Sequence, residues 1–278
     1  MKNIDEILKI VKKLKDKELA HYASSLSFHT ILALIPILLI SLSIFTKLPS
    51  FKEHYEKIQN FIFSSLIPTQ QELISSYLNK FISNTGSMGT MGLIFVLYIS
   101  IMFFFDYEKI ISSIFKIKPR SLWEAISTYW TMLTMMPLGL AISFFISQKA
   151  QDFLSQSEYT NSINILIFAP YLIIWFLFFI AYSISVNLKI KKRFALISSF
   201  VASLVWYVSK TLFVYYVAYN KTYLSIYGSF SVVMFFFLWI YFSWLIYLYG
   251  IKLYKVLDDE YSKREEKSNK SQNSASDT

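Results

Sequence analysis

The polar side chains in this sequence most able to do chemistry lie together near the start of its first long apolar stretch. His21, Ser25 and His29 are spaced four residues apart, so on a helix they share one face. Ionisable groups inside a membrane are costly and usually face a cavity or a partner. A polar lining for a substrate or proton path is one interpretation of the pattern. Interhelical hydrogen bonding by serine and threonine is the alternative interpretation.

A single lysine, Lys210, lies well inside the fifth apolar stretch. Its ammonium group could bind an anionic headgroup, pair with a carboxylate, or extend to the outer surface, since Tyr219 is only about 13 Å further along the helix axis. Asp106, Glu108 and Glu124 lie at the ends of apolar stretches and are interpreted as boundary charges. None lies at a similar depth, so no ion pair with the lysine is predicted.

Prolines and glycines in and beside the apolar stretches predict local helix geometry. Proline removes a backbone hydrogen bond and tends to kink a helix, and small residues let helices approach closely. The kink candidates are Pro36, Pro137 and Pro170, and the packing candidates are Gly86, Gly89 and Gly92.

The composition argues against a soluble enzyme. The chain has 278 residues, of which 55% are hydrophobic and only 16% are charged, whereas soluble domains carry about 25% charged residues. The absence of cysteine excludes disulfides and thiolate metal sites, and three histidines argue against a histidine metal cluster. No cofactor and no metal are expected.

Six apolar stretches are each long enough to cross a bilayer as a helix, which takes roughly 20 residues. Continuous apolar runs favour helices over the alternating strands of a barrel. The sequence therefore predicts an all-α polytopic membrane protein with six transmembrane helices in a domain of residues 21–257. The predicted spans are about residues 24–45, 88–105, 126–146, 163–186, 194–219 and 228–248.

The basic residues set the expected orientation. The N-terminal segment, the second and fourth connections and the C-terminal segment carry six, four, four and six of the 27 Lys and Arg residues. By the positive-inside rule, both termini are expected in the cytoplasm. The net charge of +9 is therefore assigned to topology and to attraction for anionic lipid, and no nucleic-acid partner is expected.

Three segments lie outside the predicted spans. Residues 1–20 have apolar side chains at helical spacing with lysines opposite, which predicts an amphipathic helix on the cytoplasmic leaflet or packed under the bundle. Residues 46–87 carry two further apolar stripes on either side of Pro68 and are predicted to form an external helical cap. Residues 258–278 are rich in Ser, Asn, Lys and Glu, which predicts a disordered tail.

Motifs for nucleotide use or hydrolysis are absent from the sequence. There is no GxxxxGK[ST], GxSxG or HExxH motif. Two-metal phosphodiester hydrolysis needs several metal-binding side chains, and the predicted helices leave no soluble domain to hold them. No catalytic residue and no enzymatic activity are therefore predicted.

Four stretches, in order along the chain, carry a family resemblance. They are LAHYASSLSFHTILALIPILLI (Leu19–Ile40), FIFSSLIP (Phe61–Pro68), YWTMLTMMPLGLAIS (Tyr129–Ser143) and YGSFSVVMFFFLWIYFSWLIYLYG (Tyr227–Gly250). Together they resemble the YihY/BrkB family of bacterial inner-membrane proteins, also termed UPF0761-like. The resemblance implies six helices in the inner membrane with both termini cytoplasmic, and it suggests links to serum resistance and envelope lipid export.

Two positions depart from that family's pattern. Lys252 stands where an acidic residue is frequent, and Ser112 stands where asparagine is frequent. Members of the family have also carried the label ribonuclease BN-like, which the lack of clustered His and Asp residues contradicts.

Two functional hypotheses follow. The first is transport or export of a lipid-like or anionic amphiphile in envelope maintenance, along a path lined by His21, Ser25, His29 and Lys210. The second is a structural or partner-binding membrane protein without transport, which docks through the external cap. Membrane lipids are the expected partners under both hypotheses. The substrate, energy source and oligomeric state are left open by the sequence.

Overall fold

The computed structural model describes residues 9–47, 90–131, 169–188, 190–219 and 230–276, together with Ser76, Phe145, Ile146 and Lys149. All regular secondary structure in these ranges is helical, so the all-α class is confirmed for this part of the chain. The main helices are α1 (Glu18–Lys47), α2 (Thr90–Phe115), α3 (residues 122–131), α4 (Ala169–Ser185), α5 (Lys192–Tyr219) and α6 (Phe230–Ser276).

Two segments of the described chain are long and apolar enough to cross a membrane, Lys192–Tyr219 in α5 and Val233–Glu266 in α6. A shorter apolar helix, Pro170–Ser185, makes up most of α4. α1, α2 and α3 overlap the first three predicted spans by position. The number of spans and their orientation in the cell stay predictions.

The central helix of the bundle is α6. It packs against α1, α2 and α5, while α1 also packs against α2 and α5 also packs against α4. The helices approach closely at Gly250, where an added Cβ would lie 2.6 Å from the Cβ of Ala202 on α5 and would also meet the Tyr182 hydroxyl on α4. The buried α5 side chains near this level are small: Ala195, Ser198, Ser199, Ala202 and Ser203. Small residues therefore bring α4, α5 and α6 together.

One end of the bundle, called here the basic end, collects connections that are distant in the sequence. It comprises residues 9–16, 116–121, 190–193 and 252–265. Lys252 Nζ donates to Asp16 at 2.8 Å, and Lys191 Nζ donates to Glu265 at 2.9 Å. The N-terminal segment and the α4–α5 connection therefore lie beside the same part of α6.

Helix α6 extends through most of the segment predicted to be a disordered tail. Residues 258–278 carry that prediction, whereas the structure describes helix as far as Ser276. At 1.5 Å per residue, α6 is about 70 Å long, more than twice the thickness of a hydrocarbon core. Its Glu260 pairs with Lys13 and lies 3.7 Å from Lys9. Lys and Glu, which are frequent in this segment, are also good helix formers. The contacts with the N-terminal segment cannot be predicted from the local composition of the tail.

The N-terminal segment is anchored where α1 begins. Residues 9–14 are helical. Asp16 then accepts a hydrogen bond from the Glu18 N–H at 3.1 Å, which caps α1. The hydrogen bond from Lys252 is the main cause that holds the pKa of Asp16 below its usual value. Of the two predicted positions for this segment, the contacts with α6 favour packing under the bundle.

Helix α2 ends in a left-handed turn at Lys116, whose φ is 56°. The Ile117 N–H donates to the Ser112 carbonyl at 3.0 Å, and the Lys116 N–H donates to the Ser113 carbonyl at 3.1 Å. This pair of bonds is a Schellman motif, which satisfies carbonyls at a helix C-terminus. The turn sends the chain back toward α2 and delivers Arg120 to the side of that helix.

Candidate functional site

The polar face of α1 is joined to α2 through two of its predicted residues. Ser25 Oγ donates to Asp106 Oδ2 at 2.9 Å, and His29 Nδ1 lies 3.1 Å from the same carboxylate oxygen. The side chains of His29 and Asp106 are 20% and 32% exposed. Ser25, His29 and Asp106 together are called the histidine–aspartate site.

The contacts of His29 Nδ1 fix the tautomer of the imidazole ring. This nitrogen faces two acceptors, Asp106 Oδ2 and the Ser25 carbonyl, each at 3.1 Å. A ring nitrogen that faces only acceptors carries a hydrogen. We therefore assign the hydrogen to Nδ1 in both the neutral and the charged ring, which leaves Nε2 as the atom that gains or loses a proton.

The histidine–aspartate site lies deep along both helices. His29 is about 16 Å along the axis from the start of α1 at Glu18, and Asp106 is about 14 Å from the end of α2 at Phe115. Both of these helix ends are at the basic end. Where the membrane lies along these two helices stays a prediction. A carboxylate inside a hydrocarbon core would be expensive unless it faced water, a partner or a ligand.

Large apolar side chains border the exposed edge of the site. The ring of Phe28 contacts that of His29 edge to face, with centroids 5.7 Å apart. Phe28 and Phe105, the residues directly before His29 and Asp106, are both exposed. Further exposed apolar side chains lie along α2 at Tyr98, Ile101 and Met102. The polar pair is therefore a small charged spot within a wide apolar surface.

Helix α6 closes the other side of the α1–α2 interface with an aromatic side chain. Trp244 Nε1 donates to Thr30 Oγ1 at 2.8 Å. The Trp244 ring also packs against Phe103 and Tyr107 of α2, with centroid distances of 6.0 Å to each. One tryptophan thus ties α6 to both helices that carry the site.

A second acid on α2, Glu108, lies in a buried environment. Its side chain is 5% exposed and that of its ion-pair partner Arg120 is 9% exposed, with Nη1 3.2 Å from Oε2. Oε1 accepts from the Arg120 backbone N–H at 2.9 Å and from Ser112 Oγ at 3.2 Å. The Tyr129 hydroxyl donates to Oε2. Both carboxylate oxygens are satisfied in this set of Glu108, Ser112, Arg120 and Tyr129, called the glutamate–arginine cluster.

Arg120 also caps the end of α4. Its Nη1 donates to the Ser185 carbonyl at 3.1 Å and its Nη2 donates to the Ile184 carbonyl at 2.8 Å. Carbonyls in the last turn of a helix have no partner within that helix. The Ser185 hydroxyl lies 2.6 Å from the Tyr107 hydroxyl, which in turn lies 2.5 Å from that of Tyr247. This polar network links α2, α3, α4 and α6.

The other predicted path residues lie away from the histidine–aspartate site. His21 is exposed on the first turn of α1. Lys210 lies on α5, where its ammonium nitrogen is 5.8 Å from the centroid of the Trp206 ring. The main packing partners of α5 are α4 and α6. The structure thus joins Ser25 and His29 at one place and leaves Lys210 on a different helix pair.

The predicted kink and packing residues are described only in part. Pro36 lies inside α1, which is described as one helix from Glu18 to Lys47. Pro170 is the second residue of α4, and Gly92 lies in the first turn of α2. Outside the described residues lie Pro137, Gly86, Gly89 and residues 48–87 of the external cap apart from Ser76. Kinks and cap stay predictions.

The interpretation of Asp106 and Glu108 as boundary charges stays a prediction, but neither acid stands at a helix end. Both lie inside α2, which continues to Phe115, ten residues beyond the predicted end of the span. Residues two apart on a helix point to nearly opposite sides, so one acid faces α1 and the other faces Arg120. Glu124 does stand at a helix start, where its carboxylate accepts from the Ser121 N–H at 3.0 Å.

Several residues make contacts in the structure for which the sequence analysis assigned them no role. The two departures from the family pattern are engaged, because Lys252 pairs with Asp16 and Ser112 donates to Glu108. Gly250 is the glycine at the helix crossing. Among the described residues, no three His, Cys, Asp or Glu side chains are grouped so that they could hold a metal ion.

Comparison with known proteins identifies the family. The family described as Virulence factor BrkB matches residues 10–275. A UPF0761 membrane protein of Haemophilus influenzae is 29% identical over 250 residues, which cover 89% of this chain and 93% of that protein. One of Mannheimia succiniciproducens is 28% identical over 250 residues, with 89% and 87% covered. No solved structure matches the chain. The chain belongs to the virulence factor BrkB family of membrane proteins.

Proposed function

We propose that this protein transports or exports a lipid-like, anionic amphiphile across the inner membrane in envelope maintenance, and that it does so without catalysing a reaction. The observation that carries the proposal is the histidine–aspartate site, in which a partly exposed carboxylate and imidazole sit deep along α1 and α2. Ionisable groups in such positions mark substrate and ion pathways in membrane proteins.

The exposure of Asp106 supports a path rather than simple helix packing. A carboxylate that serves only to join two helices is expected to be enclosed, because contact with hydrocarbon costs several kcal/mol. About a third of this side chain is exposed. Its exposed atoms therefore need water or the polar part of a ligand beside them.

The surroundings of the site fit the two parts of an amphiphile. His29 and Asp106 supply hydrogen-bonding groups for a headgroup, while the exposed Phe28, Phe105 and Met102 supply apolar contact for a hydrocarbon chain. Ligand sites commonly combine an apolar lining with a few placed polar groups. Anionic headgroups would also be attracted to the lysine-rich basic end.

Lys210 extends the proposed path toward the other end of the bundle. It lies about 27 Å along α5 from Lys192, whereas His29 lies about 16 Å from Glu18. An ammonium group at that level could receive a headgroup that has left the histidine–aspartate site. Lys210→Ala is therefore expected to slow transport without abolishing it.

The test is lipid movement in liposomes of phosphatidylcholine and phosphatidylglycerol that carry fluorescent NBD-phosphatidylglycerol, with dithionite added outside. We expect the wild-type protein to move the label between the two leaflets. This movement should be at least tenfold slower in His29→Ala than in wild type. Neighbouring serines give a matched control. Ser25 donates to Asp106, whereas the exposed Ser24 donates to the Ala20 carbonyl of its own helix. Ser25→Ala should slow movement and Ser24→Ala should not.

A structural role without transport is the competing proposal. It is supported by the glutamate–arginine cluster and the Gly250 crossing, which make a solid core near the basic end. Wild-type protein that leaves the movement of the anionic label at the rate of empty liposomes would overturn the transport proposal and favour this one.

A further inference from the structure

We infer that the histidine–aspartate site is a proton switch that admits an anionic headgroup only when His29 is protonated, so that one proton accompanies each negative charge moved. The inference deepens the proposed transport function, on which it rests, by naming its energy source. It starts from the geometry at His29 Nδ1 and Asp106 Oδ2.

The net charge of the site depends on a single proton. The Nδ1 hydrogen is held between Asp106 and the Ser25 carbonyl. With Nε2 unprotonated, the ring is neutral and the ionised carboxylate gives the site a net charge of −1. A proton on Nε2 changes the net charge to 0. Like charges in contact repel even at a protein surface that water reaches, so an anionic headgroup is excluded from the first state and accepted in the second.

Charged groups on the neighbouring helices do not alter the argument that protonation of His29 sets the net charge of the site. Besides the site itself, the charged residues and histidines on the packed helices are Glu18, His21 and Lys47 on α1, Glu108 and Lys109 on α2, and the charged residues from Lys252 onward on α6. Glu108 is paired with Arg120. Lys109 Nζ lies 5.1 Å from the centroid of the Phe105 ring. Glu18, His21 and the charged residues of α6 lie toward the basic end, and Lys47 is the last residue of α1. Trp244, the α6 side chain bonded to α1 beside His29, is neutral.

The other ion pair on α2 cannot switch in this way. Arginine stays protonated at every physiological pH, so Glu108 and Arg120 keep a net charge of 0. Histidine is the side chain whose charge changes near neutral pH. Only the histidine–aspartate pair therefore combines partial exposure with a conditional charge among the ion pairs inside the described bundle.

The proton follows a simple cycle. His29 Nε2 takes up one proton from the side on which the amphiphile enters, and the anionic headgroup then enters the neutral site. The headgroup leaves toward the other side, and Nε2 releases the same proton there. One proton and one negative charge move together, so each cycle carries no net charge across the membrane.

The experiment uses the same liposomes, with pyranine enclosed to report internal pH. A mildly acidic buffer on one side and a mildly alkaline buffer on the other set the gradient. We expect NBD-phosphatidylglycerol to move at least tenfold faster from the acidic side, with protons following the label. A potassium–valinomycin potential should leave the rate unchanged because the cycle is electroneutral.

Two substitutions test the charge argument directly. His29→Gln leaves the site at −1 and should stop the movement of the label. Adding Asp106→Asn to that variant sets the net charge to 0 and should restore movement, now without pH dependence and without proton flux. Asp106→Asn alone gives a site that is neutral or positive and should flatten the pH dependence. Ser24→Ala is the control, and unfolding temperatures in detergent identify any variant that does not fold.

The outcomes separate the two proposals. Label movement in wild type that needs no pH gradient and carries no protons overturns the proton switch and leaves the transport function standing. No label movement in wild type overturns the transport function and the proton switch with it. A folded double variant that moves the label no faster than His29→Gln overturns the charge argument.

Discussion

Asp106 and Glu108 lie two residues apart on α2 but in different environments. Glu108 is buried, and both of its oxygens are occupied by Arg120, Ser112 and Tyr129. Asp106 is partly exposed, and one of its oxygens receives both Ser25 and His29. The first arrangement holds helices in place. The second leaves part of the acidic side chain exposed.

The partners of the two acids explain the difference in role. Arg120 carries a permanent charge in a planar fork, which suits it to a fixed, fully hydrogen-bonded pair. His29 carries a charge only when it is protonated, so its pairing with Asp106 depends on conditions. A buried ion pair can be a structural element, while an exposed pair at similar depth is a candidate for function. Each of the following variants tests that division.

The largest expected effect is the loss of one partner in the glutamate–arginine cluster. Arg120→Ala leaves the buried Glu108 without its ion pair and leaves the last α4 carbonyls uncapped. Such a change typically costs about 3–5 kcal/mol of unfolding free energy. Asp106→Asn should cost less than about 1 kcal/mol, because its exposed pair is solvated. Denaturant unfolding in detergent measures the unfolding free energy of both variants. Equal losses in Arg120→Ala and Asp106→Asn would contradict the division between a structural and a functional acid.

Gly250→Ala tests how tightly the helices pack near the basic end. The new methyl group would meet Ala202 and the Tyr182 hydroxyl, so helices α4, α5 and α6 must separate. Overpacking of this kind costs typically 1–3 kcal/mol. Tyr182→Phe removes the nearest obstructing atom together with its hydrogen bond to the Tyr247 carbonyl. Gly250→Ala should therefore cost less unfolding free energy in the Tyr182→Phe background than in wild type. An unfolding midpoint unchanged by Gly250→Ala would show that the crossing is loose.

Lys116→Gly sharpens the account of the turn that delivers Arg120 to Glu108. Lys116 has a φ of 56°, in the left-handed region that costs an L-residue roughly 1–2 kcal/mol. Glycine adopts this conformation without that cost, so the variant should gain about 1 kcal/mol in unfolding free energy. Lys118→Gly, in the same connection, is the control and should give no such gain.

The smallest expected effect is the pH dependence of the Asp16–Lys252 pair. The pKa of Asp16 is lowered in the folded protein, chiefly by the hydrogen bond from Lys252. An acid whose pKa is lower in the folded than in the unfolded protein stabilises the fold at a pH above its unfolded pKa. That contribution is lost as the pH falls through the pKa of the folded state. Wild type should therefore exceed Asp16→Asn in unfolding temperature at neutral pH. The difference should shrink below about pH 4, and a constant difference would contradict the assignment.

The sequence predicted one half of the histidine–aspartate site and missed the other. The four-residue spacing of Ser25 and His29 identifies a face of α1 because helical periodicity is local. Asp106 was placed at a span end because the apolar run stops at Phe105. The helix continues to Phe115, since polar groups inside a bundle are satisfied by other helices, and those partners are distant in the sequence.

The same reason explains the other differences. The crossing at Gly250 depends on Tyr182 and Ala202, which lie on other helices. The C-terminal extension of α6 contacts Lys13 and Lys191, far away along the chain. Helix content and apolar periodicity are properties of local sequence. Which side chains come into contact depends instead on how the helices pack. The buried glutamate–arginine cluster is an example.

The most direct test compares Asp106→Asn with wild type in two measurements on the same protein samples. The account predicts an unfolding free energy within about 1 kcal/mol of wild type, together with a flattened pH dependence of NBD-phosphatidylglycerol movement. Wild-type movement and a wild-type pH profile in Asp106→Asn would contradict the assignment of function to the exposed acid of α2.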